Sequence, residues 1–105
     1  METELAELNY FNDKPDIEKY SDTKKVQHNA NKYGLQVVYS PRQTKKFRIV
    51  NPDTLKYIDF GHFGSQDFTL HQNTERQRRY KLRNNRFKTS PKDSAGWASF
   101  YILWE

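Results

Sequence analysis

Arginine residues recur at short, regular intervals between residues 74 and 88. Arg76, Arg79, Arg83 and Arg86 are separated by three, four and three positions. Residues three or four apart lie on the same face of an α-helix, so this spacing places the four side chains along one edge. A guanidinium group binds phosphate or carboxylate through two parallel hydrogen bonds. The chemistry that this segment offers is therefore the binding of an anion on another molecule.

Three further bases flank this edge and complete the predicted binding surface. The candidate residues for binding a polyanion or an acidic partner are Arg76, Arg78, Arg79, Lys81, Arg83, Arg86 and Lys88. The alternative is a solvated helix face whose charges pair with acids of the same chain, such as Asp59, Asp67 or Asp93. No signature of base reading accompanies the bases, so sequence-specific DNA recognition is not supported.

Residues that support metal or phosphate chemistry are scattered. The three histidines are separated by 34 and 9 positions, which matches no standard zinc pattern, and the chain has no cysteine. Gly61 and Gly64 lack the rest of a phosphate-binding loop. We therefore expect no metal, no cofactor and no enzymatic activity. A metal-dependent nuclease that uses Asp59, Asp67 and His71 is the catalytic alternative.

Aromatic residues must supply much of the hydrophobic core. They make up 15% of the chain, whereas all hydrophobic residues together make up only 34%. Each ring buries a large apolar area, which suits a small domain. The predicted aromatic core consists of Phe47, Tyr57, Phe60, Tyr80, Trp97 and Trp104. The alternative for the first three is stacking on the bases of single-stranded nucleic acid.

The charge of the chain is distributed unevenly. Of a net charge of +5, residues 1–40 contribute −2 and residues 41–105 contribute +7. Residues 75–92 alone contain eight bases and one acid. Such asymmetry favours an anionic partner. No apolar run is long enough for a membrane span, and the acidic N-terminus is unlike a signal peptide, so we expect an intracellular or virion-internal location.

Two short segments predict a β-hairpin. Residues 46–50 are β-branched and partly alternating, and residues 55–60 alternate between apolar and polar side chains. Pro52 and Asp53 suit the central positions of the turn between them. Gly61 and Gly64 predict a sharp exit from the sheet through backbone with positive φ.

Two helices are expected after the hairpin. Thr74 and Gln77 fit a capping box that opens a helix running to about Asn84 or Phe87. Before it, residues 65–73 predict a helical turn or a structured loop, with Asp67 and Thr69 as competent caps. After it, Ser94 caps a C-terminal helix whose aromatic residues recur on one face. We expect Tyr80 and Phe87 to face the hairpin.

The first 44 residues are polar and weakly patterned. Leu5, Leu8 and Phe11 allow a turn or two of helix, and residues 34–39 predict a short strand. The overall prediction is an α+β fold: a hairpin, an Arg-rich helix and an aromatic C-terminal helix in a basic module of residues 45–105. Residues 1–44 are expected to form an extended or partly disordered arm.

Several motifs, which follow one another in a fixed order along the chain, resemble those of a known protein family. They comprise residues 58–61 (Ile-Asp-Phe-Gly), 67–71 (Asp-Phe-Thr-Leu-His), the helix 75–83 and the closing 95–104. They resemble the small basic domain that large double-stranded DNA viruses of algae and protists encode widely. The chain departs from that pattern where Asn84 replaces a histidine and where Trp97 directly follows glycine.

The resemblance implies a viral protein but carries no assigned chemistry. The expected function is a non-enzymatic virion structural protein, a minor capsid or assembly component that docks through the arm and the basic helix. The expected partners are other capsid or virion proteins, and the expected locations are the virion and the host-cell cytoplasm during assembly. The alternative is a non-specific nucleic-acid-binding protein associated with the viral genome.

Overall fold

A three-stranded antiparallel sheet lies at the centre of the protein. The computed structural model describes residues 14–51 and 53–105. Strand β1 (Gln36–Tyr39) pairs with β2 (Lys45–Val50), which pairs with β3 (Tyr57–His62). The predicted hairpin of β2 and β3 is confirmed, with Phe47 opposite Phe60 and Ile49 opposite Ile58. The predicted strand at residues 34–39 is confirmed as β1.

The hairpin turn is stabilised by Asn51. Its side-chain oxygen accepts a hydrogen bond from the Asp53 backbone N–H, and its carbonyl accepts one from the Leu55 N–H at 2.7 Å. Leu55 adopts a left-handed conformation with φ 60°. Pro52, which the sequence placed in the turn, lies outside the described residues. Gly61 (φ 81°) and Gly64 (φ 112°) confirm the predicted positive φ at the exit from the sheet.

The predicted extended arm is wrong for residues 14–44. This segment contains a 3₁₀ turn (Ile17–Lys19), helix α1 (Thr23–Asn31) and strand β1. Ile17, Val26 and Leu35 are buried in the same core as the rest of the domain. These apolar residues are widely spaced, but each occupies an inward-facing position once the helix and strand have formed. The helical turn predicted near Leu5 and Phe11 lies outside the described residues.

Three further helices follow the sheet. They are α2 (Phe68–His71), the basic helix α3 (Thr74–Arg83) and α4 (Ala95–Ala98), which continues as a π-helical turn (Ser99–Leu103). A 3₁₀ segment (Asn85–Thr89) connects α3 to α4. Asp67 caps α2 and Ser94 caps α4, as predicted. None of the helices among the described residues is long and apolar enough to cross a bilayer.

The basic helix begins differently from the prediction. Asn73, not Thr74, is its N-cap, and the Asn73 side chain accepts a hydrogen bond from the Arg76 N–H at 3.0 Å. Thr74 is the first helical residue, so the predicted capping box of Thr74 and Gln77 is wrong. Asn is at least as good an N-cap as Thr, which explains why the helix starts there.

The core lies between the sheet, α1 and the C-terminal helix. Phe47, Phe60 and Trp97 are buried there, as predicted. Tyr80 and Trp104 are half-buried at its edge. Tyr57 was predicted to be a core residue and is not: it is 42% exposed, and its ring lies 5.2 Å from the Arg48 guanidinium carbon. Tyr57 is the first residue of β3, which is an edge strand, and its side chain is exposed to solvent.

Candidate polyanion-binding surface

The basic helix α3 packs against the C-terminal end of the chain. The Tyr80 ring stacks on the Trp104 ring with centroids 4.3 Å apart and planes within 4°. The Gln77 side-chain amide donates a hydrogen bond to the Trp104 carbonyl at 2.8 Å. Burial raises the pKa of the Tyr80 hydroxyl. Tyr80 therefore packs on the C-terminal residues, and it also lines a cavity that Lys46 and Gly61 of the hairpin share.

The 3₁₀ segment after the helix is held by Phe87. Its ring covers Gly96, where a Cβ atom would overlap the ring carbons. The Tyr101 hydroxyl donates a hydrogen bond to the Lys88 carbonyl at 2.9 Å. Phe87 therefore also packs on the C-terminal helix rather than on the hairpin. These contacts attach residues 76–88 to the C-terminal residues.

Three arginines form an exposed ridge along α3. Arg76, Arg79 and Arg83 are spaced by three and four positions, and all three are exposed. The helix places no residue in the core. We call these three residues the ridge. The structure thus brings part of the predicted edge together, while Arg86 follows in the 3₁₀ segment beyond the helix.

Glu75 is the acid that pairs with bases of this surface. It accepts hydrogen bonds from Arg78 at 2.6 and 3.1 Å and lies 3.6 Å from Arg79. The hydrogen bond from Arg78 lowers the pKa of the Glu75 carboxyl. All three side chains are more than half exposed. Such exposed pairs on one helix stabilise weakly, so they leave both arginines accessible.

The acids proposed as internal partners of the basic helix are paired elsewhere. Asp59 binds Arg48, Asp67 binds Lys46 and Asp93 binds Lys56. Within residues 14–51 and 53–105, the remaining bases of the predicted surface form no ion pair; they are Arg76, Lys81, Arg83, Arg86 and Lys88.

Two of these bases contact aromatic rings instead of acids. The Arg86 guanidinium carbon lies 4.5 Å from the centroid of the Phe87 ring. The Lys81 ammonium lies 5.2 Å from the centroid of the Phe100 ring. A cation over a ring keeps its charge and its hydrogen-bond donors, so both groups can still bind an anion.

A buried ion pair that the sequence did not reveal lies beneath α2. The Lys46 ammonium donates to the Asp67 carboxylate at 2.8 Å, and both side chains are 2% exposed. Ser21 donates to the same carboxylate at 2.5 Å, and the Thr69 hydroxyl donates to its other oxygen. Burial lowers the pKa of Lys46, and the nearby Asp67 opposes this shift. The alternating pattern of residues 46–50 predicts a strand at Lys46 but not its burial. Its partner, Asp67, is distant in sequence.

The residues of the catalytic alternative belong to separate networks. Asp59 binds Arg48 and Ser40 on the sheet, whereas Asp67 binds the buried Lys46. His71 accepts a hydrogen bond from the Asn73 N–H through Nδ1, and burial lowers its pKa. The described part of the chain has no group of three or more His, Asp or Glu side chains that could hold a metal ion. Among the described residues, Asp59, Asp67 and His71 thus form no common metal-binding cluster.

A family model matches part of this architecture. The family is described as one of unknown function (DUF5754), and the match covers residues 35–84. That segment spans the three strands, α2 and the basic helix. No curated protein matches the chain, and no solved structure matches it either.

Proposed function

We propose that this protein is a non-enzymatic binding module that contacts a negatively charged partner through the basic surface of residues 76–88. The observation that carries the proposal is the ridge. Arg76 and Arg83 have no acid partner among the described residues, and Arg79 has only an exposed contact with Glu75. Among the described residues, five bases of this surface form no ion pair, and the exposed pairs of Arg78 and Arg79 with Glu75 leave these two arginines accessible as well.

The energetics support an external role for these charges. Repulsion between bases on one helix face destabilises the helix by a few tenths of a kcal/mol per pair. If these bases acted only within the chain, nearby acids of the same chain would be expected to offset that repulsion. Here the acids Asp59, Asp67 and Asp93 pair with bases of other elements. A partner that supplies carboxylates or phosphates would remove the repulsion.

We place this module in the particle of a large DNA virus, as a minor capsid or assembly component. The proposal is supported by the resemblance to the small basic domain of large DNA viruses, whose motifs include the basic helix. In this context the anionic partner is an acidic surface of a neighbouring capsid protein. The basic surface is packed against the C-terminal residues through Tyr80 and Phe87, and such preorganisation favours docking on a protein lattice.

The second candidate is non-specific binding of nucleic acid. The observation that favours it is the excess of arginine over lysine in the basic surface, because a planar guanidinium binds phosphate well. Binding of this kind depends on the release of counterions, so affinity falls steeply as salt rises.

One experiment separates the two candidates. Binding of full-length protein to duplex DNA, single-stranded DNA and poly-glutamate is measured across a salt series. Capsid docking predicts binding to poly-glutamate without a preference for DNA, and recovery of the protein with the shell of purified particles. Preferential DNA binding, together with recovery in the core, would replace the capsid proposal with the second candidate. Binding to none of the probes at low salt would overturn both.

A further inference from the structure

A histidine closes the short connection between α2 and the basic helix. Helix α2 ends at His71 and α3 begins at Thr74, so only Gln72 and Asn73 lie between them. Gln72 adopts a left-handed conformation with φ 54°, which turns the chain. The Nδ1 atom of His71 then accepts a hydrogen bond from the Asn73 backbone N–H at 2.9 Å. We call residues 71–73 the junction.

The junction also sets the start of the basic helix. Asn73, whose N–H donates to His71, is the N-cap of α3. Its side-chain oxygen accepts a hydrogen bond from the Arg76 N–H at 3.0 Å, and its carbonyl accepts one from the Gln77 N–H at 3.0 Å. Such caps satisfy backbone N–H groups that have no partner within the helix. His71 therefore acts on the first turn of α3 through the orientation of Asn73.

The hydrogen bond from Asn73 requires one protonation state of His71. A ring nitrogen that accepts a hydrogen bond carries no proton, so the neutral ring holds its proton on Nε2. A protonated imidazole has an N–H at both nitrogens, and its Nδ1–H would meet the N–H of Asn73. Neutral His71 can therefore close the junction, whereas protonated His71 cannot.

The apolar surroundings of the ring also oppose a positive charge. The Nε2 atom of His71 is buried and has no hydrogen-bond partner among the described residues. The ring centroid lies 5.3 Å from that of Trp104 and 6.0 Å from that of Phe68. A charged group that is buried without a hydrogen bond loses its hydration without compensation. Protonation therefore favours a position of the ring outside this contact with Trp104.

Charged groups of three elements face His71. Burial is the largest cause that lowers the pKa of His71 below its ordinary value of 6.5. Arg76 on α3 and Lys46 on β2 add to this shift by repulsion, whereas Asp67 at the start of α2 opposes it. The Asp67 carboxylate already binds the ammonium of Lys46 at 2.8 Å. The electrostatic surroundings therefore favour the neutral ring, as the hydrogen bond from Asn73 does.

We propose that His71 makes the junction sensitive to pH: the neutral ring holds the start of the basic helix in place, and protonation releases it. The unfolded chain takes up this proton more readily than the folded protein. The stabilisation by neutral His71 is therefore complete above pH 6.5 and is lost as the pH falls through the lower folded pKa. This inference does not rest on the proposed function, because it concerns the junction alone.

Nuclear magnetic resonance of the isotope-labelled full-length protein tests the proposal. At neutral pH, the ring nitrogens of His71 should show the proton on Nε2. As the pH falls below 6.5, the ring should titrate, and the amide signals of Asn73, Arg76 and Gln77 should shift with the same midpoint. The amides of Arg76 and Gln77 should also lose protection against hydrogen exchange, because the first turn of the helix opens locally.

Two variants separate His71 from the other titrating groups. His71→Asn keeps an acceptor near the position of Nδ1 but does not titrate, so its Arg76 and Gln77 amides should keep their protection at mildly acidic pH. His28→Asn, at an exposed position of α1, is the matched control and should lose protection as wild type does.

Three results would overturn the proposal. They are a proton on Nδ1 of His71 at neutral pH, amides of the first helical turn that do not follow the titration of the ring, and a loss of protection in His71→Asn equal to that of wild type. The first two are measured on the wild-type protein, so they decide the matter even if His71→Asn does not fold.

Discussion

Charged side chains of the sheet and of the basic helix have opposite environments. On the sheet, Lys46 and Arg48 each bind an aspartate of the same chain, at 2.8 and 2.9 Å. On the helix, Arg76 and Arg83 are exposed and have no such partner among the described residues. The same types of residue therefore occupy two different environments in one small domain.

The difference follows from the cost of desolvation. A buried charge costs several kcal/mol unless a partner and hydrogen bonds compensate it, so Lys46 requires Asp67. An exposed arginine keeps its hydration, so the protein folds without an acid partner for it. The buried charges of the sheet are thus paired within the chain, whereas Arg76 and Arg83 stay exposed with no acid partner among the described residues.

The largest effect is expected at Lys46. Lys46→Met leaves the Asp67 carboxylate buried without its partner, and we expect a loss of about 3–5 kcal/mol in the free energy of unfolding. Urea denaturation measures this loss. Lys45→Met, at the adjacent half-buried position, is the matched control and should be close to wild type. A similar small effect in both variants would show that the buried pair does not stabilise the sheet.

A smaller effect is expected where the basic surface joins the domain. Gly96→Ala introduces a Cβ atom into the space of the Phe87 ring, and overpacking of this kind costs about 1–3 kcal/mol. Thermal unfolding measures the loss. The double variant Phe87→Ala/Gly96→Ala removes the overlap, so Gly96→Ala should cost much less in that background. Equal costs in both backgrounds would rule out Phe87 as the cause.

The smallest expected effect on stability is that of the Asp59 carboxylate, and it depends on pH. Burial alone would raise the pKa of Asp59, but hydrogen bonds from Arg48 and Ser40 outweigh it and hold the pKa below the ordinary value of 3.8. The carboxylate therefore stabilises the folded state fully above pH 3.8, and this contribution is lost as the pH falls through the lower folded pKa.

Stability measured against pH tests this assignment. Wild type should lose more stability than Asp59→Asn between neutral pH and the acid range, because the amide does not titrate. Parallel curves for the two proteins would contradict the predicted pKa shift.

Local sequence patterns predicted the elements that local interactions determine. The hairpin followed from alternation and turn residues, and the Ser94 cap followed from side-chain chemistry at a helix start. The N-cap of the basic helix was misplaced by one residue, because Asn73 and Thr74 are both good caps. Tyr57 was misplaced because alternation identifies a strand without showing which of its ends meets solvent.

Features that depend on distant contacts could not be predicted. Residues 14–44 show little periodicity, and the burial of Val26 depends on the packing of α1 against the C-terminal helix. Lys46 carries no signal of burial, since its partner Asp67 is 21 positions away. The basic residues of the candidate surface were identified from spacing alone, but only the structure shows that the nearby aspartates are already paired.

The role of the ridge in anion binding is tested most directly by two triple variants that lose the same charge. Arg76/Arg79/Arg83→Ala removes the ridge, and Lys24/Lys25/Lys32→Ala removes three exposed lysines of and beside α1. Both should unfold at nearly the wild-type free energy, within about 0.5 kcal/mol, because the positions are exposed. Affinity for the preferred anionic probe, DNA or poly-glutamate, is then measured at low salt. Anion binding by the ridge predicts a much larger loss of affinity in the ridge variant than in the lysine variant; equal losses would show that the ridge is not the binding surface.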